Sequence, residues 1–236
     1  MHPIDFLRLV ADFTEVCPYL PEQISRMPLS VPAGPLAPEQ LDQLLEAGYR
    51  RSGRFFYHTR CPQCSACEPL RVEVDRFRTS RSQRRAQKLG DARLRTQIAP
   101  LSIDSRRVEL FNRHRQERQL SQGDTLVEES DYRDFLGNSP TETAELSLWY
   151  DEKLIAVSVF DLGAASLSAV YCFFDPDFSW LSPGTYAILQ QFAAARQRGL
   201  RWLYLGMMVA DNAHLNYKLN YRPHQRRING QWIEFD

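Results

Sequence analysis

AELSLWYDEKLIAVSVFDLGAASLSAVYCFF, residues 144–174, holds three apolar runs separated by two short breaks. The runs AELSLWY (144–150), LIAVSVFDL (154–162) and SLSAVYCFF (166–174) have strand length and are rich in β-branched and aromatic side chains. The links DEK and GAA leave room only for hairpin turns, so the spacing predicts an antiparallel meander.

Downstream, SPGTYAILQQFAAARQRG (182–199) reads as a helix. Ser182 stands at the N-cap, Pro183 at the first helical position and Gly199 at the stop. Ile188, Leu189, Phe192 and Ala195 form its buried stripe. LRWLYLG (200–206) is a further strand, followed by a short helical segment at 213–219 and a strand at 231–235. Three antiparallel strands, a helix, a strand, a helix and a strand give an α/β (α+β) class. The order is that of acetyltransferase-like (GNAT-type) mixed sheets, an analogy of topology that does not by itself fix function. Acetyltransferases of this kind hold a cofactor diphosphate on bare backbone amides at a glycine-rich helix start. Here that junction, FFDPDFSWLSPGTY (173–186), has Gly184 as its one glycine and a proline that removes a donor. A coenzyme A cradle is not expected, so any activated acyl group must arrive on another carrier.

Upstream, residues 39–49 read as a helix with Leu41, Leu44 and Leu45 on one face and Gly48 as its stop. A short strand is expected around 55–58, and LRVEVDRF (70–77) alternates as a half-buried strand does. From Ser80, an N-cap, the pattern turns helical. SIDSRRVELFNRHRQERQL (102–120) is another helix, and Asn138-Ser139-Pro140 is a breaker. A boundary is expected near residue 100, between an N-terminal region with the cysteines and a basic segment (1–99) and an acetyltransferase-like domain (100–236) that would carry any acyl transfer.

The chain has 236 residues and no net charge, with 43% hydrophobic and 25% charged residues, as in ordinary globular proteins. No apolar run approaches the ~20 residues of a bilayer span. The N-terminus lacks the basic lead of a signal peptide, and the cytoplasm is the default compartment. The neutral total hides an asymmetry. SRSQRRAQK (80–88) opens a basic segment carrying Arg81, Arg84, Arg85 and Lys88 at helical spacing, whereas 124–153 is acidic. Such a segment can hold a polyanion, because its field is local and screened over about 8 Å. The plainer alternative is a solvated helix face. RCPQCSACEPLR (60–71) places Cys61, Cys64 and Cys67 two residues apart. They suit ligands of one ion, with Cys17 or His58 as the fourth, or else small apolar groups in a tight turn.

PYLPEQ (18–23), GYRRSGRFFYHTRCPQCSACEPLRV (48–72) and SRSQRRAQK resemble the aminoacyl-tRNA–protein transferases, as do YCFFDPDF (171–178), LSPGTYAILQQ (181–191) and LRWLYLG. The similarity is greatest to the bacterial branch, the aspartate/glutamate leucyltransferases, relatives of the eukaryotic arginyl-tRNA–protein transferases. It runs from about residue 15 to the C-terminus. The resemblance implies transfer of leucine from aminoacyl-tRNA to proteins that begin with Asp or Glu, marking them for degradation by the N-end rule. It implies an acyl group carried on RNA and no membrane. Eukaryotic relatives bind metal or an iron–sulfur cluster through paired cysteines. This chain keeps Cys17 and Cys61 but has Leu20 and Arg60 at the paired positions, so a site here would use Cys64 and Cys67. It also has Met207-Met208 and His214-Leu215 where the bacterial branch has Tyr-Trp and Lys-Met.

The implied reaction is aminolysis of an ester by an α-amine whose pKa of about 7.7–8.0 leaves a useful neutral fraction. It needs alignment and oxyanion donors more than a strong base or a cofactor. Tyr204, Tyr217 and Lys218 are the candidate catalytic groups. Arg50, Arg51 and Arg71 are candidates for the acceptor's carboxylate, since a buried arginine rejects neutral termini. Arg81, Arg84, Arg85 and Lys88 would meet the tRNA backbone. The alternatives are arginine as donor, an inactive tRNA- or degron-binding homologue, and a coenzyme A-dependent acetyltransferase.

Overall fold

The computed structural model describes residues 4–118 and 125–236. The last two residues of the helix expected over 102–120, and Asp124 of the acidic stretch, lie outside the described residues. The first strands are β1 (Leu7–Ala11), β2 (Thr14–Val16), β3 (Ile24–Arg26) and β4 (Leu29–Pro32), followed by helix α1 (Pro38–Glu46). Then come β5 (Arg50–Ser52), β6 (Phe55–Tyr57), β7 (Glu68–Glu73), α2 (Arg81–Arg93), β8 (Arg95–Pro100), α3 (Ser105–Glu117) and α4 (Glu129–Tyr132). The expected meander is β9 (Glu142–Tyr150), β10 (Lys153–Leu162) and β11 (Ser166–Phe174). It is followed by α5 (Pro183–Gln197), β12 (Trp202–Met208), β13 (His224–Ile228) and β14 (Gln231–Phe235).

The main sheet has eight strands in the order β14-β13-β7-β12-β11-β10-β9-β8. Its one parallel pair, β11 with β12, is joined through α5, and the other pairs are antiparallel. This is the mixed α/β sheet that the sequence predicts. A smaller sheet, β1-β4-β6-β5, and the hairpin β2-β3 come from the N-terminal part. Strand β10 is buried along nearly its whole length because both faces are covered. On one side Ile155, Ala156 and Phe160 pack with Ile188, Leu189 and Phe192 of α5. On the other, Leu154, Val157 and Val159 pack with Leu110 and Phe111 of α3 and Tyr132 of α4. Leu41, Leu44 and Leu45 of α1 pack with Phe56 and Tyr204, joining the small sheet to the large one.

The boundary expected near residue 100 does not separate the sheets. Strand β7 lies between β12 and β13, and β8 pairs with β9, so the main sheet takes strands from both sides of it. Within β7, Leu70 and Val72 are buried as the alternation predicts and Arg71 is buried as well, while Glu68, Pro69 and Glu73 are partly exposed. Ser182 occupies the N-cap position of α5, but its backbone is left-handed (φ 53°) and its hydroxyl makes no capping bond. The segment at 213–219 is a 3₁₀ turn over Asn216–Asn220.

Candidate functional site

The parallel pair at the centre of the main sheet does not stay paired. Strands β11 and β12 match only from Ser166 to Ser168 against Trp202 to Tyr204. Past that point the pairing of β12 with β7 shifts register between Tyr204 and Gly206. From Ala169 to Cys172, β11 is partly exposed although it lies inside the sheet. The two strands form the arms of an open fork.

A buried cation caps a carbonyl on each arm. Arg50, at the start of β5, donates from Nη2 to the Ala169 carbonyl at 2.6 Å and from Nη1 to Ser168 Oγ at 3.0 Å. Lys218, in the 3₁₀ turn, donates from Nζ to the Met207 carbonyl. Arg50 is 9% exposed and Lys218 6%. Gly206, at φ 90°, makes room: a Cβ there would stand 3.0 Å from Arg50 Nη2. Burial and then the nearby Arg50 charge lower Lys218 to about 7. Burial also lowers Arg50.

Tyr217 borders the same opening, with its ring 5.6 Å from Lys218 Nζ and 42% of the residue exposed. Burial of its hydroxyl and then the Cys172 thiol raise the phenol to about 12, so it is a proton donor at neutral pH. Arg118 stacks over Phe174 at 5.7 Å, with Nη2 3.3 Å from His214 Nδ1.

The remaining sequence-predicted residues stand elsewhere or are already engaged. Arg51 binds Asp161 with two bonds, at 2.7 and 3.0 Å, and both side chains are buried. Arg71 lies between the rings of Trp202 and Trp232, at 3.9 and 4.2 Å, and is paired with Glu46. It also donates to the Tyr204 hydroxyl at 3.0 Å, and that hydroxyl reaches Glu46 at 3.4 Å. Tyr204 is thus bound into the α1 side of the core. Arg81, Arg84, Arg85 and Lys88 occupy the exposed face of α2, and Arg84 donates to the Thr79 carbonyl at 2.6 Å.

Cys17, Cys61, Cys64 and Cys67 are free thiols. Burial and then the thiols of Cys17, Cys61 and Cys64 raise Cys67 to about 12, so the four lie in one neighbourhood. One of them is already engaged: Cys61 Sγ accepts from the Arg26 amide at 3.5 Å. Among the described residues no group of three or more His, Cys, Asp or Glu side chains is placed to hold a metal ion.

Sequence reading missed Ser168, which orients Arg50, and Cys172 and Arg118 beside Tyr217. The available signal was Gly206: a glycine inside a strand often marks a close approach of other atoms.

Among the described residues no helix is long and apolar enough to cross a membrane. The chain is 37% identical over 223 residues to an aspartate/glutamate leucyltransferase of Aeromonas hydrophila, covering 93% of this chain and 92% of the relative. A protein of the same name from Teredinibacter turnerae is 37% identical over 234 residues, with 98% and 95% covered. Among solved structures, FemX superposes with a TM-score of 0.51 at 9% identity, covering 75% of this chain and 63% of that one, a likeness of fold. Residues 15–85 match the N-terminal model of the arginine-tRNA-protein transferases and residues 106–228 the C-terminal model. On both halves of its length, the chain belongs to the arginine-tRNA-protein transferase family.

Proposed function

We propose that the chain transfers leucine from aminoacyl-tRNA to the α-amine of proteins that begin with Asp or Glu, acting in the cytoplasm and creating a degradation signal. The relatives that span it carry the name aspartate/glutamate leucyltransferase. The observation that carries the reading is the start of α5. In an acetyltransferase-type sheet this is where a coenzyme diphosphate would rest on bare amides. Here Pro183 removes one amide, and the Phe174 ring packs 3.5 Å from the Cβ position of Gly184. The fork remains suited to acyl transfer, with the acyl group brought on RNA.

The α-amine of the acceptor attacks the ester carbonyl, and the ribose hydroxyl leaves with a proton. A neutral amine needs no strong base, so the protein's work is alignment and stabilisation of the tetrahedral oxyanion. Tyr217, protonated at neutral pH and beside the fork, is the proposed hydroxyl donor. Tyr204 is proposed to position β12 through Arg71 and Glu46 without touching the reacting atoms. The exposed cations of α2 are proposed to run along phosphates of the acceptor stem, giving affinity without reading sequence.

The test offers the purified protein leucyl-tRNA, arginyl-tRNA and acetyl-coenzyme A together with peptides starting in Asp, Glu or Ala. Leucine moving to Asp and Glu starts alone is the expected result. Arginine transfer would overturn the donor assignment, acetyl transfer the carrier, and tRNA binding without transfer the activity itself.

A further inference from the structure

The buried arginines and lysines among the described residues are Arg50, Arg51, Arg71, Arg107 and Lys218. Arg51 has Asp161, Arg71 has Glu46, and Arg107 has Glu145 and Asp104. For Arg50 and Lys218 the described residues supply only neutral acceptors: Ser168 Oγ and the carbonyls of Ala169 and Met207. Asp161, the acid that acts on Arg50 through space, is held by Arg51. The phenols of Tyr19 and Tyr57, also near Arg50, are raised by burial and remain neutral.

Capping two carbonyls does not require charge. A neutral amide would cap them without the desolvation penalty of several kcal/mol that accompanies a buried ion lacking a counter-ion. Burial first, and then repulsion from the like charge of Arg50, lower Lys218, and an anion between the two would offset both. The arrangement has a physical rationale if an anion arrives from outside. Both cations keep donors beyond those used on the strands, and both lie at a fork whose β11 arm is partly open to solvent.

Building on the proposed transfer to acidic N-termini, we infer that Arg50 and Lys218 together form the subsite for the side-chain carboxylate of the acceptor's first residue. The carboxylate lies across the mouth of the fork, taking charge-assisted hydrogen bonds from the guanidinium on one side and the ammonium on the other. The flexible lysine stem adapts to the one-methylene difference between Asp and Glu. An Asn or Gln start leaves both cations without an anion and is rejected.

Binding of peptides that differ only in Asp or Asn at the first position is measured by calorimetry on the full chain with uncharged tRNA present. The expected preference for Asp is about 100-fold, as for loss of a buried charged partner. Lys218→Met and Arg50→Met, checked for a native melt, are each expected to cut that preference about tenfold and to change Asn-peptide binding little. Should a variant fail to fold, the unaltered protein still decides. Its lysines are Lys88, Lys153 and Lys218, so acetylation at Lys218 can be assigned by mass spectrometry. The Asp peptide should protect Lys218 and the Asn peptide should not. Absence of an Asp preference, unprotected Lys218, or a preference that survives in folded variants would overturn the inference. Selective peptide binding without leucyl transfer would overturn the proposed reaction and leave the subsite standing.

Discussion

His114 of α3 is 4% exposed, and its Nδ1 lies 3.0 Å from the carbonyl oxygen of Phe174 and 3.2 Å from that residue's amide nitrogen. Burial lowers its pKa from 6.5 to about 4, against the opposing effect of the Phe174 carbonyl. Above pH 6.5 the ring is neutral both folded and unfolded, and it contributes no pH dependence. Between 6.5 and about 4 the unfolded chain binds a proton that the folded chain refuses, so stability falls as pH falls. For a fully refused proton the slope is about 1.4 kcal/mol per pH unit. Urea midpoints at pH 7, 6 and 5 should drop more steeply for the natural chain than for His114→Asn, and parallel curves would refute this. At the same scale, the legibility of the site was uneven. Arg50, Tyr217 and Lys218, which the fold brings together at the fork, stood out in the sequence because they sit in motifs. Arg51 and Arg71 sit in the same motifs, yet their partners Asp161 and Glu46 come from other elements, and sequence spacing carries no information about that pairing.

Helix α2 was legible from its first turn. The Ser80 hydroxyl accepts from the Gln83 amide at 3.3 Å, and the Gln83 side chain accepts from the Ser80 amide at 2.8 Å, the capping box that SRSQ spells. Its docking was not legible, because it depends on a missing side chain far along the chain from its partner. Gly90 lets the helix rest against Tyr186 of α5, where a Cβ would meet the ring at 2.4 Å. The Tyr186 hydroxyl then donates to Asp91 at 2.9 Å. The contact fixes the buried face, and Arg81, Arg84, Arg85 and Lys88 are left outward. Reversing Arg84 and Arg85 to Glu should therefore weaken tRNA binding without unfolding the chain. It should also flatten the dependence of log K on log salt by about one unit per lost phosphate contact. Filter binding at several salt concentrations reads both effects, and an unchanged slope would remove α2 from the RNA path.

Across the whole molecule, the meander and the β11–α5–β12 crossover followed from apolar runs and short links, which are local signals. The placement of β7 did not, because its two neighbours, β12 and β13, lie more than a hundred residues away in the chain. The expected consequence is that residues 100–236 do not fold alone. A fragment of residues 100–236 lacks β7, which lies between β12 and β13, and with it the fully buried Leu70, Val72 and neighbouring Val74 of the main core. At about 1.5–3 kcal/mol for each buried aliphatic side chain, the loss rivals the 5–15 kcal/mol that holds a domain together. Starting at residue 60 restores β7 but still removes Arg51, and Asp161 is then a buried carboxylate without its cation, at a cost of about 3–5 kcal/mol. Both fragments should therefore lack a cooperative melt by circular dichroism, whereas the full chain should unfold in one transition at every wavelength followed. A native-like melt from residues 100–236 would mean that the sheet closes without its N-terminal strand.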